Sequence, residues 1–185
     1  MSNSTNPYKN FTLYLKEHFP FKVQKISINA GFTCPNRDGT KGRGGCTYCN
    51  NKSFTPDYSA SIKTVSKQLK EGIEFFSHKY EEMKYLAYFQ SYTNTYESVD
   101  KLKDLYEEAL AYPGVVGLVI STRPDCMPDE LLNYLEEINK KHYVLIEYGV
   151  ESTLNSTLER VNRQHTFEES KQTIIKTAER GIPVG

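Results

Sequence analysis

Three of the four cysteines, Cys34, Cys46 and Cys49, fall in one glycine-rich stretch, GFTCPNRDGTKGRGGCTYCNN, from Gly31 to Asn51. Their spacing is C-x11-C-x2-C. Thiolates select soft metals, and the number of ligands narrows the choice. Structural zinc prefers a closed set of four, so three cysteines leave it one short. The same three suit a [4Fe–4S] cluster whose fourth iron stays open to a substrate or cofactor. Zinc completed by His18, His78 or His165 remains an alternative, although none of these histidines has a finger-type spacing.

The elements that must position these thiols form a simple alternation. Val23 to Ala30 reads as a half-buried strand that delivers the chain into the cysteine loop, 31–59. Before it, Asn6 to Phe19 suggests a short helix with Tyr8, Phe11, Leu15 and Phe19 at helical spacing, closed by Pro20, so that residues 1–20 form an N-terminal helical extension. Ser61 to Tyr80 sets Ile62, Val65, Leu69, Ile73 and Phe76 on one helical face. Lys84–Gln90 is a strand, and 100–112 and 128–141 are helices around the β-branched strand Val115–Ile120. Tyr143–Val150 is the fourth strand and Leu154–Val161 a short helical piece. Thr166 and Glu169 form a capping box for a last helix that Gly181 ends, and Ile182–Val184 begins a fifth strand.

This β-α alternation specifies an α/β fold with a parallel sheet. An open doubly wound sheet and a partial (β/α) TIM-like barrel of four units both satisfy it, and in either case chemistry belongs at the C-terminal ends of the strands. Those ends hold Cys34–Cys49, Gln90–Tyr96, Ser121–Asp125 and Glu147–Ser152. The sequence stops as a strand begins, which reads as a fragment lacking its C-terminal part, with an unpaired edge and an uncovered inner face.

Composition limits the partners. No apolar run is long enough to span a bilayer and the N-terminus lacks a signal-peptide pattern, so the expected setting is cytoplasmic, where clustered thiols stay reduced. The net charge of zero conceals an asymmetry: residues 1–55 hold eight Lys or Arg against two acidic residues. A basic end around the cysteine loop suits an anionic partner, and equally a solvated surface.

The cysteine loop after a first strand, with Tyr48 just before the last cysteine, resembles the radical S-adenosylmethionine (SAM) superfamily. The long first gap, together with TCPNRDG (Thr33–Gly39), FQSYTNTY (Phe89–Tyr96), STRPDC (Ser121–Cys126), EYGVES (Glu147–Ser152) and NRQHT (Asn162–Thr166), is similar to its YtqA/YhcC-type group and the related catalytic subunit of Elongator. The resemblance implies a truncated radical SAM core over 1–185, a [4Fe–4S] cluster on Cys34, Cys46 and Cys49, and SAM chelated at the open iron. One electron, from a donor such as flavodoxin or ferredoxin, would cleave the sulfonium to a 5′-deoxyadenosyl radical. Tyr48 would pack near the adenine. Gln90, Ser91 and Asn94 would stand in for the family's glycine-rich element at the methionine amino group, Ser121 and Arg123 would reach the ribose or carboxylate, and Glu151 the ribose hydroxyls. For substrate it implies tRNA, with the wobble side chain taken from 5-carboxymethylaminomethyluridine to 5-aminomethyluridine. The residues alone assign no catalytic side chain. Each also has a plainer reading: Tyr48 is one of fourteen tyrosines, Arg123-Pro124-Asp125 can be a turn with an ion pair, Glu151 and His165 can cap, and Cys126 can be a small buried residue. The plainer reading of the whole is a zinc-stabilised RNA-binding module, or a fragment that binds the cluster without turning over.

Overall fold

The computed structural model describes residues 7–185 apart from 9 and 81, and all of these side chains except those of Lys52 and Phe54. Four parallel strands, β1 (Val23–Ile28), β2 (Lys84–Phe89), β3 (Val115–Thr122) and β4 (Tyr143–Tyr148), stand in the order β1-β2-β3-β4. A doubly wound sheet reverses its order at a switch point, whereas a barrel adds each strand beside the last. The sequential order is therefore that of a partial barrel. Its next step is already visible: Val184 bridges Ile146 in parallel, and Ile146 and Tyr148 donate backbone N–H to the carbonyls of Pro183 and Gly185, both at 3.0 Å.

The helices are α1 (Phe11–His18), α2 (Val65–Phe76), α3 (Val99–Leu110), α4 (Asp129–Asn139), α5 (Asn155–Arg160) and α6 (Phe167–Glu179). On the helix side of the sheet, Ile26, Ile28, Ala87, Phe89, Leu118, Ile120, Val144 and Ile146 pack with Leu69, Leu102, Tyr106, Leu131 and Leu135. The other side carries Leu86, Val119 and Leu145, against which Leu15 of α1 and Phe19 just after it pack. The inner face is thus not bare, as the sequence suggested. The N-terminal helix covers part of it, and Tyr143 Oη donates to Tyr14 Oη at 3.1 Å.

Several boundaries move for local reasons. The first helix starts after the Asn10 cap, whose Oδ1 accepts the Leu13 N–H at 2.9 Å, so Tyr8 precedes it and is exposed. The expected residues 1–6 and 9 of the extension lie outside the described residues. α2 begins after Thr64, whose hydroxyl caps Lys67, leaving Ile62 outside the helix and 95% exposed. β4 ends at Tyr148 rather than Val150. The Thr166–Glu169 capping box forms, and Gly181 takes φ 70° after the last helix. Among the described residues no helix is long and apolar enough to cross a membrane.

Candidate metal and cofactor site

The eleven residues between Cys34 and Cys46 fold into a compact excursion. The Arg37 and Asp38 N–H groups return to the Cys34 carbonyl, an antiparallel bridge joins Asp38 to Arg43, and Gly45 N–H donates to Asn36 O at 2.9 Å. Gly44 and Gly45, both at φ 81°, make the reversal that carries Cys46 back toward the sheet. The chain after α5 grips this loop, with Thr47 N–H on Val161 O at 3.1 Å and Asn162 Nδ2 on Gly45 O at 2.9 Å.

Cys34, Cys46 and Cys49 then line one cavity of about 490 Å³ at the C-terminal ends of the strands. Its wall includes Tyr48, Tyr88, Gln90, Tyr92, Ser121, Arg123, Glu147, Glu151 and Arg163. All three cysteines are free thiols; Cys34 and Cys46 are buried and Cys49 is exposed. Among the described residues no group of three or more His, Cys, Asp and Glu side chains is gathered on a single-ion site. His18, His78 and His165, the histidines considered as a fourth zinc ligand, are absent from the cavity wall. Three sulfurs spread over one wall fit a cluster, in which each binds a different iron.

Nitrogen donors surround the sulfurs. Arg123 Nη1 lies 3.9 Å from Cys34 Sγ, Arg163 Nη1 3.6 Å from Cys46 Sγ, Asn36 Nδ2 3.6 Å from Cys46 Sγ, and Asn51 Nδ2 3.8 Å from Cys49 Sγ. Such donors stabilise thiolate and the negative charge of a cluster. Arg123 is almost fully buried and fully committed: Nε and Nη2 each reach Asp125 at 2.9 Å, and Nη2 also reaches the Arg163 carbonyl. Burial opposes its charge, but the bonds and charge of Asp125 outweigh that and hold it protonated. Burial likewise opposes the Asp125 carboxylate, yet Arg123 and Lys41 keep its pKa below the usual range.

The positions expected from the sequence separate into two groups. Tyr48, Gln90, Ser121, Arg123 and Glu151 line the cavity with the three cysteines. Ser91 and Asn94 do not; both are buried, and Asn94 Nδ2 instead holds the Ser121 carbonyl at 2.7 Å. Burial drives the Tyr48 phenol pKa well above normal, and that of Tyr88 up to about 12, so both are neutral hydrogen-bonding rings at neutral pH. Cys126 is buried and its thiol is pushed up to about 12, first by burial and then by Asp125, which makes it unreactive.

Arg163 and Asn36 escaped the sequence reading. Both lie inside blocks it singled out, but nothing in a linear pattern says that a guanidinium will be buried against a thiol. Ser121 Oγ donates its one proton to Glu147 Oε2 at 3.0 Å and accepts from the neutral Tyr88 phenol at 3.1 Å, tying β2, β3 and β4 together. Among the described residues, four non-glycine residues have positive φ: Tyr92, Glu151, Asn162 and Gln164. Two are on the cavity wall and two flank Arg163, so backbone strain of about 1–3 kcal/mol each collects at this site.

Residues 31–185 match the family model of the radical SAM superfamily. The chain belongs to that superfamily. The relatives it matches include YtqA of Bacillus subtilis, 37% identical over 99% of this chain and 57% of that protein. YhcC of Escherichia coli K12 is 39% identical over 92% of this chain and 54% of its own length. MJ0486 of Methanocaldococcus jannaschii is 33% identical over 96% and 54%. The chain thus spans about half the length of these relatives. Among solved structures, the cobalamin-dependent S-adenosylmethionine radical enzyme OxsB matches with a TM-score of 0.55 at 17% identity, over 93% of this chain and 24% of that one. That likeness is one of fold, and it agrees with the partial radical SAM barrel described above.

Proposed function

We propose that this chain carries the cluster- and cofactor-binding part of a radical SAM enzyme, with Cys34, Cys46 and Cys49 holding a [4Fe–4S] cluster. The observation that carries the reading is three free thiols on one cavity wall within a superfamily-matched segment. When bound, the cluster and SAM supply one-electron cleavage of the sulfonium and a carbon-centred radical. The protein's own work is placement. Gln90, Ser121 and Glu151 offer polar groups to the cofactor's amino, carboxylate and ribose groups, and Tyr48 offers a half-exposed ring for the adenine.

For substrate we propose tRNA, at a wobble uridine whose 5-carboxymethylaminomethyl group loses its carboxymethyl part. The basic cysteine loop supports this, and so does the Arg37 guanidinium 5.3 Å from the centre of the Tyr92 ring at the cavity. A cation beside an exposed ring suits a base and its phosphate. A flavodoxin- or ferredoxin-type donor would deliver the electron. Anaerobic purification should give a brown protein with about four irons and matching sulfide. With SAM and dithionite it should release 5′-deoxyadenosine, and with tRNA bearing the modification, the aminomethyl product. A colourless protein with one tight zinc would overturn the proposal.

A further inference from the structure

We infer that Arg163 is a positioning residue for the metal centre, fixing Cys46 and lending it a buried positive charge. The inference rests on the reading that the three cysteines hold a [4Fe–4S] cluster.

Each end of this guanidinium is occupied. Nε donates to His165 Nε2 at 2.9 Å, Nη2 to the Gly149 carbonyl at 2.5 Å, and Nη1 to Cys46 Sγ at 3.6 Å. His165 in turn faces the Thr166 carbonyl through Nδ1 at 3.2 Å, which places its proton there and leaves Nε2 as the acceptor Arg163 needs. Glu151 stands 3.9 Å away, and the side chain of Arg163 is only 8% exposed. A Cβ at Gly149 would sit 2.8 Å from both Arg163 Nη2 and Glu151 Oε1, so a side chain there would push these two ends out of place. With one donor on each of its three nitrogens held by a protein atom, Arg163 is fixed in place against Cys46. The thiols are therefore unequal. Cys34 and Cys46 each face a buried guanidinium, while the exposed Cys49 has, among the described side chains, the neutral amide of Asn51 as its hydrogen-bond donor.

The sign follows from charge. Reduction adds an electron to the cluster, and a nearby cation in a poorly screened site stabilises the reduced state more than the oxidised one. Removing that cation lowers the reduction potential.

The test uses the full chain, reconstituted anaerobically with iron and sulfide and titrated potentiometrically by electron paramagnetic resonance. Arg163→Gln should shift the midpoint to more negative potential at unchanged iron content, and the surface control Lys171→Gln should leave it in place. Arg163→Lys keeps the charge but cannot span the three partners. Its midpoint should stay nearer the wild type while it surrenders iron to a chelator several-fold faster. An unmoved midpoint in fully loaded Arg163→Gln overturns the inference. Should that variant fail to load, wild-type iron release from Arg163→Lys overturns it instead. A wild type that takes up no cluster sinks the underlying reading itself, a distinct result.

Discussion

On the helix side of the sheet, Ile26, Leu118, Ile120 and Ile146 are fully buried among apolar neighbours from α2, α3 and α4. At the strand ends, a comparable depth of burial is reached by Arg123, Asn94, Thr93 and Arg163, all held by hydrogen bonds and the two arginines also by ion pairs. The first region gains stability from area removed from water and tolerates swaps that conserve volume. The second gains little net stability from its charges, because desolvation offsets their attraction. It also carries the left-handed residues Tyr92 and Glu151. The difference teaches that the scaffold is built for stability, and the mouth for holding thiols and polar groups at fixed places.

That contrast can be broken from either side. The largest effect is expected at the mouth: Cys46→Ala should abolish cluster uptake, read as iron and sulfide content, while the melting curve of the apo-protein shifts little. Asp125→Asn removes the partner of a buried guanidinium and should cost about 3–5 kcal/mol, measured by urea unfolding. The same variant carries a pH signature. Because the Asp125 pKa is lowered on folding, its contribution is present above the unfolded value, near 3.9, and is lost as pH falls through the folded one. The variant's stability should therefore fall less steeply than the wild type's in that acid range. In the scaffold, Leu102→Ala should cost about 2–5 kcal/mol with cluster uptake intact once folded. Thr166→Ala, which removes half of the capping box on α6, should cost about 1 kcal/mol and sharpen the comparison as a purely local loss.

Much of the scaffold was legible because its signals are periodic. Alternation, aromatic and β-branched runs gave the strands, apolar residues at helical spacing gave α3 and α4, and Thr166 with Glu169 gave the start of α6. Ile62 misled because apolar spacing continues past a helix start, and only the Thr64 hydroxyl marks where the turn begins. The choice of barrel over doubly wound sheet could not be made from alternation, since both share it; strand order made it. At the site, the cysteines and the polar strand ends were readable from topology. Arg163, Asn36 and the displacement of Ser91 and Asn94 from the cavity were not. They depend on which way a loop turns, and that is decided by contacts between segments far apart in sequence, such as Asn36 with Asn162.

Lys25 on β1 reaches Glu147 on β4. The pair spans the concave side of the sheet as a chord spans an arc, and the ammonium also lies 4.3 Å from each of the Phe11 and Tyr88 ring centres. One electrostatic tie anchored beside α1 therefore links the first strand to the last, and the same carboxylate forms part of the cavity wall. Concentrated salt would weaken this partly exposed tie and leave the Glu147 carboxylate freer on the surface where a ligand rests.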